Sequence, residues 1–310
     1  MPIGAGIVLL AALGYEAFRL LYFGDPLPNT YYLKLTGIPL EIRILRGLAT
    51  YADFFRRHAV PLLIVLFGAI PLLRRRPEFR LPLALFGFYS LYSIAVGGDS
   101  WEEAGAVRAN RFLAWVMPLL FVVFTGLWNH ARAALARSFP NRPAAAERYL
   151  AIAATAVLVL TSNGLGVSEA SAHHWRNLVV AERPLLVPDH EIVLRDVRRL
   201  ESVLAPGARV ATFWAGIPSY FSDYRMVDMY GYSDAHVARL PNTLPLRVND
   251  FRAYRPGHVK WDYAYVLRAK PPDAFLQVWH TEPKTRAAVM ARHGYREIGG
   301  FWVREGAPLN

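Results

Sequence analysis

Cysteine is absent from all 310 residues. That excludes disulfides, thiolate zinc sites and cysteine nucleophiles, and it leaves the compartment open. Also lacking are a Walker loop, a dinucleotide-binding glycine fingerprint, a nucleophile elbow and any internal repeat, so classes recognised by those motifs have nothing to rest on. The third lack is positional. The second half of the chain has no long apolar run, whereas the first half has five: Ile3–Phe23, His58–Leu73, Leu81–Val96, Phe112–His130 and Tyr149–Asn163. A bilayer core takes about 20 apolar residues of helix, with about 17 as a practical minimum. The first and fourth stretches meet this alone; the other three recruit flanking residues. The rival reading, buried helices of a soluble protein, asks for a polar face on each helix.

What is present agrees with a half-membrane protein: 54% hydrophobic residues and a net charge of +11. The expected fold class is a polytopic α-helical membrane bundle of about five spans followed by a small α/β extracytoplasmic domain. The expected domains are a bundle over 1–164, with an amphipathic outer loop over 24–57, and a soluble domain over 165–310. The first stretch carries Glu16 and Arg19 and lacks a basic leader, so it reads as a span rather than a cleaved signal. Arg74, Arg75, Arg76 and Arg80 fill one short turn, and Arg132, Arg137, Arg142 and Arg148 another. Short basic turns face the cytoplasm. That puts 24–57, 98–111 and everything after about 164 outside, although Lys34, Arg43, Arg46, Arg56 and Arg57 run against the rule.

From Ile38 to Phe55 apolar residues recur at helical spacing, as on a helix lying on a bilayer surface or packed on the soluble domain. Beyond 164, Asp189–Leu204 reads as an amphipathic helix. Arg209–Trp214, Arg225–Met229, Asp262–Leu267, Ala274–Val278 and Arg296–Arg304 (broken at Gly299-Gly300) read as strands. Ala215–Phe221 reads as a turn or short helix, and Thr285–His293 as a helix stopped by Gly294. Helices alternating with short strands predict an α/β layer structure.

Four polar clusters carry the candidate chemistry. Asn29, Tyr31, Tyr32 and Lys34 follow the first span, where tyrosines suit the headgroup level and Lys34 suits a lipid phosphate; an interfacial anchor is the alternative. Gly97-Gly98-Asp99, Glu102, Glu103, Arg108 and Arg111 crowd the next outer loop, either as a polar collar or as a site for a metal, phosphate or sugar. Asp228, Asp234, His236 and Arg239 sit where an α/β sheet presents polar groups at a crevice, although Asp234 equally fits a helix cap. His258 and Lys260, two apart beside Gly257, are expected to face one side of an extended segment. His173, His174 and Trp175 lie in a loop, and adjacent histidines rarely form one metal site.

Together these strings resemble a known group. Tyr22-Phe23-Gly24-Asp25-Pro26-Leu27-Pro28-Asn29-Thr30-Tyr31-Tyr32-Leu33-Lys34 looks like the motif after a span in bacterial polytopic glycosyltransferases of the GT-C class. The nearest group is that related to the mycobacterial terminal arabinofuranosyltransferase. Gly97-Gly98-Asp99 with Arg111-Phe112-Leu113, Asp228…Gly231…Asp234-Ala235-His236-Val237-Ala238-Arg239, and Arg255-Pro256-Gly257-His258-Val259-Lys260 are similar to its further elements, in the same order. The resemblance implies a bacterial inner-membrane protein with its C-terminal domain outside the cytoplasm. It also implies a polyprenyl-phosphate sugar donor and a cell-envelope glycan as acceptor. Transfer needs a carboxylate as general base and cations or a metal at the departing phosphate; a divalent cation is the one cofactor this chemistry admits.

Asp99, Asp228, Asp234 and His236 are the catalytic candidates. Asn29, Tyr31, Tyr32, Lys34, Arg111, Arg239, His258 and Lys260 are the substrate-binding ones. No resident metal ligands and no nucleic-acid partner are expected. The chain departs from the group in lacking the usual acidic first outer loop, so it reads as the C-terminal part of such an enzyme, with the missing N-terminal half as a partner. The rival readings are a non-catalytic membrane protein whose outer domain binds an anionic glycan or a partner protein, and, last, a transporter fragment. The only mid-span charges for the transporter reading are Glu16 and Arg19, which can pair on one helix face.

Overall fold

The structure is a computed structural model that describes residues 2–100, 110–141, 143–161, 176, 179, 183 and 187–310. The first half is helical. Its elements are α1 (Pro2–Phe23), α2 (Asn29–Leu35), α3 (Leu40–Ala69), α4 (Arg80–Ala95), α5 (Arg111–Ala114), α6 (Met117–Ser138) and α7 (Pro143–Thr161). The second half alternates: α8 (Val187–Glu201), β1 (Arg209–Thr212), α9 (Gly216–Phe221), β2 (Arg225–Asp228), α10 (Ala235–Arg239), α11 (Tyr263–Ala269), β3 (Ala274–Phe275), α12 (Pro283–Arg292), β4 (Tyr295–Ile298) and β5 (Phe301–Arg304).

Two helices are long and apolar enough to cross a membrane, Gly4–Phe23 and Met117–Ser138, and a third span is added if the bent pair within and after α3 counts as one. The apolar side chains of α1 make the case plainly: Ile7, Leu10, Leu13, Phe18 and Leu21 expose between 51% and 88% of their surface. Among the described residues no element covers them, and a bilayer would. The 16 residues of α4 reach only about 24 Å of helix. The amphipathic segment and the second apolar stretch, read separately from sequence, form one helix, α3. It bends by 88° between Leu40–Arg56 and His58–Leu72, with His58 at φ −117°, ψ 16° and Pro61 just inside the second limb. Proline has no amide hydrogen for the carbonyl four residues back, and its ring crowds that carbonyl, so the break falls in the preceding turn. The fourth apolar stretch is likewise divided, into α5 and α6.

Two compact units make up the chain. One comprises residues 1–38, 192–245 and 257–310; the other comprises 39–191 and 246–256. In the second, α3 and α4 approach so closely that a Cβ on Gly47 would lie 2.1 Å from the Ile94 carbonyl oxygen. A core of Phe54, Leu62, Val65, Phe86, Leu113 and Leu120 fills this unit.

The first unit holds a five-stranded mixed sheet in the order β2-β1-β3-β5-β4. β1 pairs parallel with β2 and with β3, and β5 pairs antiparallel with β3 and β4. Side chains alternate across a strand, and the two cores follow that alternation. Val210 and Ala274 join Val197, Leu200 and Leu204 on one face, whereas Ala211 and Phe275 join Val266, Leu267 and Met290 on the other. Helices therefore cover both faces, as expected for α/β layers. Three strand expectations change. Asp262–Leu267 is helical (α11), because Asp262 caps it, accepting the Tyr265 amide at 2.8 Å. β3 stops at Phe275. Arg296–Arg304 is two antiparallel strands, turned back at Gly299 and Gly300 with φ of 62° and 86°.

Candidate functional site

The first unit gathers most of the candidate residues around the link between α1 and α2. Asp25, just past α1, organises that link. Its Oδ1 accepts the Leu27 amide at 2.8 Å and the Tyr32 hydroxyl at 3.0 Å. Its Oδ2 accepts from a guanidinium nitrogen of Arg239 on α10. The Arg239 guanidinium carbon also lies 4.2 Å from the centre of the Tyr32 ring, and its Nη1 donates to the Ala235 carbonyl at 2.9 Å. From α1 itself, Arg19 Nε donates to the Pro26 carbonyl at 3.0 Å. The helix, its exit loop and α10 are thus tied by charge-assisted hydrogen bonds.

Beside this knot, Asn29 Nδ2 donates to the Tyr232 carbonyl at 3.2 Å, and the Tyr232 hydroxyl lies 3.4 Å from His258 Nε2. Tyr31 packs edge-on against Tyr32 and is exposed. Gly257 adopts φ +85°, and a Cβ there would fall 2.6 Å from the Tyr232 hydroxyl and 3.7 Å from Lys34 Cε. The Lys34 stem and the Tyr232 hydroxyl therefore close on one glycine, whose chain neighbour His258 meets the same hydroxyl. Gly257→Ala should destabilise the unit by about 1–3 kcal/mol through a disfavoured φ and the clash together. Thermal denaturation checks this; an unchanged melting temperature would mean the convergence is wrong.

Lys260 does not share a face with His258. Its ammonium is fully buried and donates to the Tyr32 carbonyl at 2.9 Å, the Ala238 carbonyl at 3.0 Å and Thr36 Oγ1 at 3.3 Å. All three of its donors are spent on the protein, so it joins α2 to α10 rather than facing a ligand. Burial among neutral acceptors pushes its pKa down to about 8.

The carboxylates expected to serve as a base are similarly committed. Buried Asp228 accepts from the Tyr230 amide at 2.9 Å, the Gly231 amide at 3.2 Å, and the Ser233 amide and hydroxyl at 2.8 and 3.2 Å. Buried Asp234 caps α10, taking the His236 and Val237 amides at 2.9 and 3.2 Å on Oδ1. Its Oδ2 takes Lys270 Nζ at 2.7 Å and the Tyr265 hydroxyl at 3.4 Å. Burial alone would raise the Asp234 carboxyl, but the Lys270 and backbone hydrogen bonds outweigh it and hold the pKa below the ordinary value. A depressed carboxyl pKa stabilises the fold above the unfolded value near pH 4 and loses that contribution as pH falls through the folded one. Asp234→Asn, which keeps the cap oxygen but loses the Lys270 ion pair, should cost about 1–2 kcal/mol at neutral pH. It should also flatten the acid limb of a stability-versus-pH curve, and an unaltered limb would count against this role.

His236, on α10, is exposed. It stacks on Tyr265 at 3.9 Å between ring centres and lies 3.8 Å from the Asp262 carboxylate.

Asp99 and Arg111 belong to the second unit, where they pair with each other at 2.7 Å. The Gly97-Gly98-Asp99 backbone there is gripped by buried Arg46, whose Nη2 donates to the Asp99 carbonyl at 2.9 Å. Asn110 caps α5 through the Phe112 amide and donates to Ser93 Oγ at 2.8 Å. This motif builds local structure. Glu102, Glu103, Arg108, His173, His174 and Trp175 lie outside the described residues. Among the described residues, no group of three or more His, Asp or Glu converges as a metal site.

Residues not singled out from sequence complete the picture. Lys270 and Tyr265 close on Asp234. The Tyr230 hydroxyl meets His280 Nε2 at 3.0 Å, while the edge of the Tyr230 ring packs on His258 at 5.0 Å between ring centres. The sequence signal for Tyr230 was its place two residues past the end of β2.

A family model described as a domain of unknown function (DUF8728) matches residues 187–307, a span that takes in the whole five-stranded sheet and none of α1–α7. Comparisons with curated proteins and with solved structures give no match. What the chain shows of itself is a helical part with two helices able to cross a membrane, joined to a small sheet domain of that family's extent.

Proposed function

We propose that this chain is the C-terminal part of a GT-C-type membrane glycosyltransferase, and that its own task is to hold the phosphate-bearing headgroup of a polyprenyl-linked sugar donor rather than to supply the catalytic base. The observation that carries the reading is the closing of the Lys34 stem and the Tyr232 hydroxyl on Gly257, where Tyr232 also meets His258, in the unit that holds α1, a helix whose apolar side chains are exposed. An ammonium, a phenol and an imidazole at the exit of a span suit a phosphate at headgroup depth. The saturation of Asp228 and Asp234 supports the second half of the proposal. A carboxylate that already accepts three or four hydrogen bonds is a poor proton acceptor for a sugar hydroxyl.

In the finer form of the proposal, α4 and α7 also cross, giving five spans in the inner membrane of a bacterium. The sheet domain then lies outside the cytoplasm, as the arginine-rich turns require. The glycan acceptor and the carboxylate base come together when an N-terminal partner is present. Proteoliposomes loaded with a polyprenyl-phosphate sugar test this. The chain should retain the donor lipid without transferring sugar, and transfer should need an added chain bearing the acidic first loop. Transfer by this chain alone, abolished by Asp234→Asn in a folded protein, would overturn it.

A further inference from the structure

The second unit has a furrow of its own, between α6 and α7. Its volume is about 300 Å³, and its walls are Phe124, Thr125 and Trp128 on α6 and Ala151, Ala154 and Thr155 on α7. The furrow exists because the α7 wall is built of small side chains, which leave space that larger ones would fill. A neighbouring cavity of about 270 Å³ shares Phe124, Trp128 and Ala154 but turns toward Pro61 and Ile64 of α3, with Ala153 in its wall in place of Ala151.

One end of the furrow is cationic. On a helix, residues three, four and seven apart share a face. Thr125 and Trp128 are therefore continued by Arg132 on α6, and Thr155 and Ala151 by Arg148 on α7. Arg132 Nη2 reaches the Glu147 carboxylate at 3.1 and 3.2 Å, so the two helices are tied at this end. A guanidinium has five N–H donors, and the Nε and Nη1 of Arg132 form no hydrogen bond among the described residues. Arg148 is exposed and forms no ion pair there. Between 132 and 148 the sequence has four arginines and one glutamate. Tyr149, beside Arg148, is 72% exposed, as a tyrosine at headgroup level is. Since α6 is long and apolar enough to cross a membrane, an apolar furrow runs along a span and ends at unspent cations.

We infer that the furrow holds one acyl chain of an anionic glycerophospholipid, with the headgroup phosphate at Arg132 and Arg148. Charge decides the occupant. A further apolar helix could lie against small residues, but it brings nothing for two guanidiniums. A phospholipid brings both halves, a hydrocarbon chain for the furrow and a phosphate for its end. The lipid belongs to the leaflet that the arginine-rich turn faces. The inference is independent of the proposed donor site, whose residues lie in the first unit.

The test is native mass spectrometry of the full chain, stripped of lipid in detergent and titrated with phosphatidylglycerol or phosphatidylcholine bearing the same acyl chains. One phosphatidylglycerol should bind per chain, about tenfold more tightly than phosphatidylcholine. Ala151→Leu, which fills only the furrow, should weaken phosphatidylglycerol about tenfold, whereas Ala153→Leu, which points into the neighbouring cavity, should leave it unchanged. The exposed pair Arg132→Gln and Arg148→Gln should abolish the preference between the two lipids without filling any space. Lys34→Ala should bind phosphatidylglycerol as wild type does. Equal affinity for the two lipids in the wild-type chain would overturn the inference, as would wild-type binding by both Ala151→Leu and the double arginine variant. Displacement of phosphatidylglycerol by an equal concentration of polyprenyl phosphate would also overturn it, since the furrow would then belong to the donor.

Discussion

Replacing Lys260 by alanine should unfold the sheet domain at temperatures lower by on the order of 10 °C, a loss of about 3–5 kcal/mol. The ammonium reaches the Tyr32 and Ala238 carbonyls together with the Thr36 hydroxyl. Its removal strips buried acceptors of a partner and leaves a cavity where a long side chain stood. Lys260→Met separates these effects, because it keeps most of the stem and discards the charge. The native ammonium is itself costly. A pKa lowered from 10.5 to about 8 corresponds to about 3 kcal/mol of lost preference for the charged form.

The sign is as follows. Between about pH 8 and about pH 10.5 the unfolded lysine carries a proton that the folded one has given up, so stability rises with pH across that window. Above about pH 10 the trend reverses. Burial raises the Tyr224 and Tyr295 phenols to about 12 and lifts Tyr263 as well, so the folded protein then holds protons that the unfolded chain loses. Full-chain melting in detergent should peak on the alkaline side of neutrality. Lys260→Met should lose the rise from pH 8 while keeping the fall above pH 10. A wild-type curve that declines steadily from pH 7 would contradict the buried lysine.

Asp228→Ala is the second large loss expected, about 3 kcal/mol. The carboxylate collects the Tyr230, Gly231 and Ser233 amides into one turn. Tyr230 and Gly231 are buried, so their amides would be left without acceptor or water. Asp228→Asn, retaining one carbonyl oxygen for Tyr230 and Gly231 but turning an NH2 toward Ser233, should lose about half as much. If Asp228→Asn instead left the melting temperature unchanged and abolished sugar transfer in a reconstituted system, Asp228 would be a reacting group and the structural role assigned to it would fail.

The outline of this fold was legible where pattern and physics are local. The apolar runs give α1 and the membrane part, the period of Val193, Val197 and Leu200 gives the buried face of α8, and Gly294 marks the end of α12. Errors arose where a local signal was ambiguous. Tyr263–Leu267 is a short apolar run that suits strand and helix equally, and only the Asp262 cap decides between them. The bend in α3 needed Pro61 to be weighed against a continuous helical pattern.

The site was legible in its members but not in their duties. Lys260 and Tyr32 are 228 positions apart, and nothing local distinguishes a lysine that greets a phosphate from one buried under two helices. Asp234 was open between cap and site, and its neighbours Lys270 and Tyr265 come from a distant segment.

The most direct test of the central claim is equilibrium binding of a polyprenyl phosphate to the full chain in nanodiscs, measured for wild type and for Lys34→Ala and His258→Ala. The account predicts saturable binding by wild type, about tenfold weaker for each variant, with melting temperatures little changed. No saturable binding by the wild-type chain, or equal affinity in all three proteins, would contradict it.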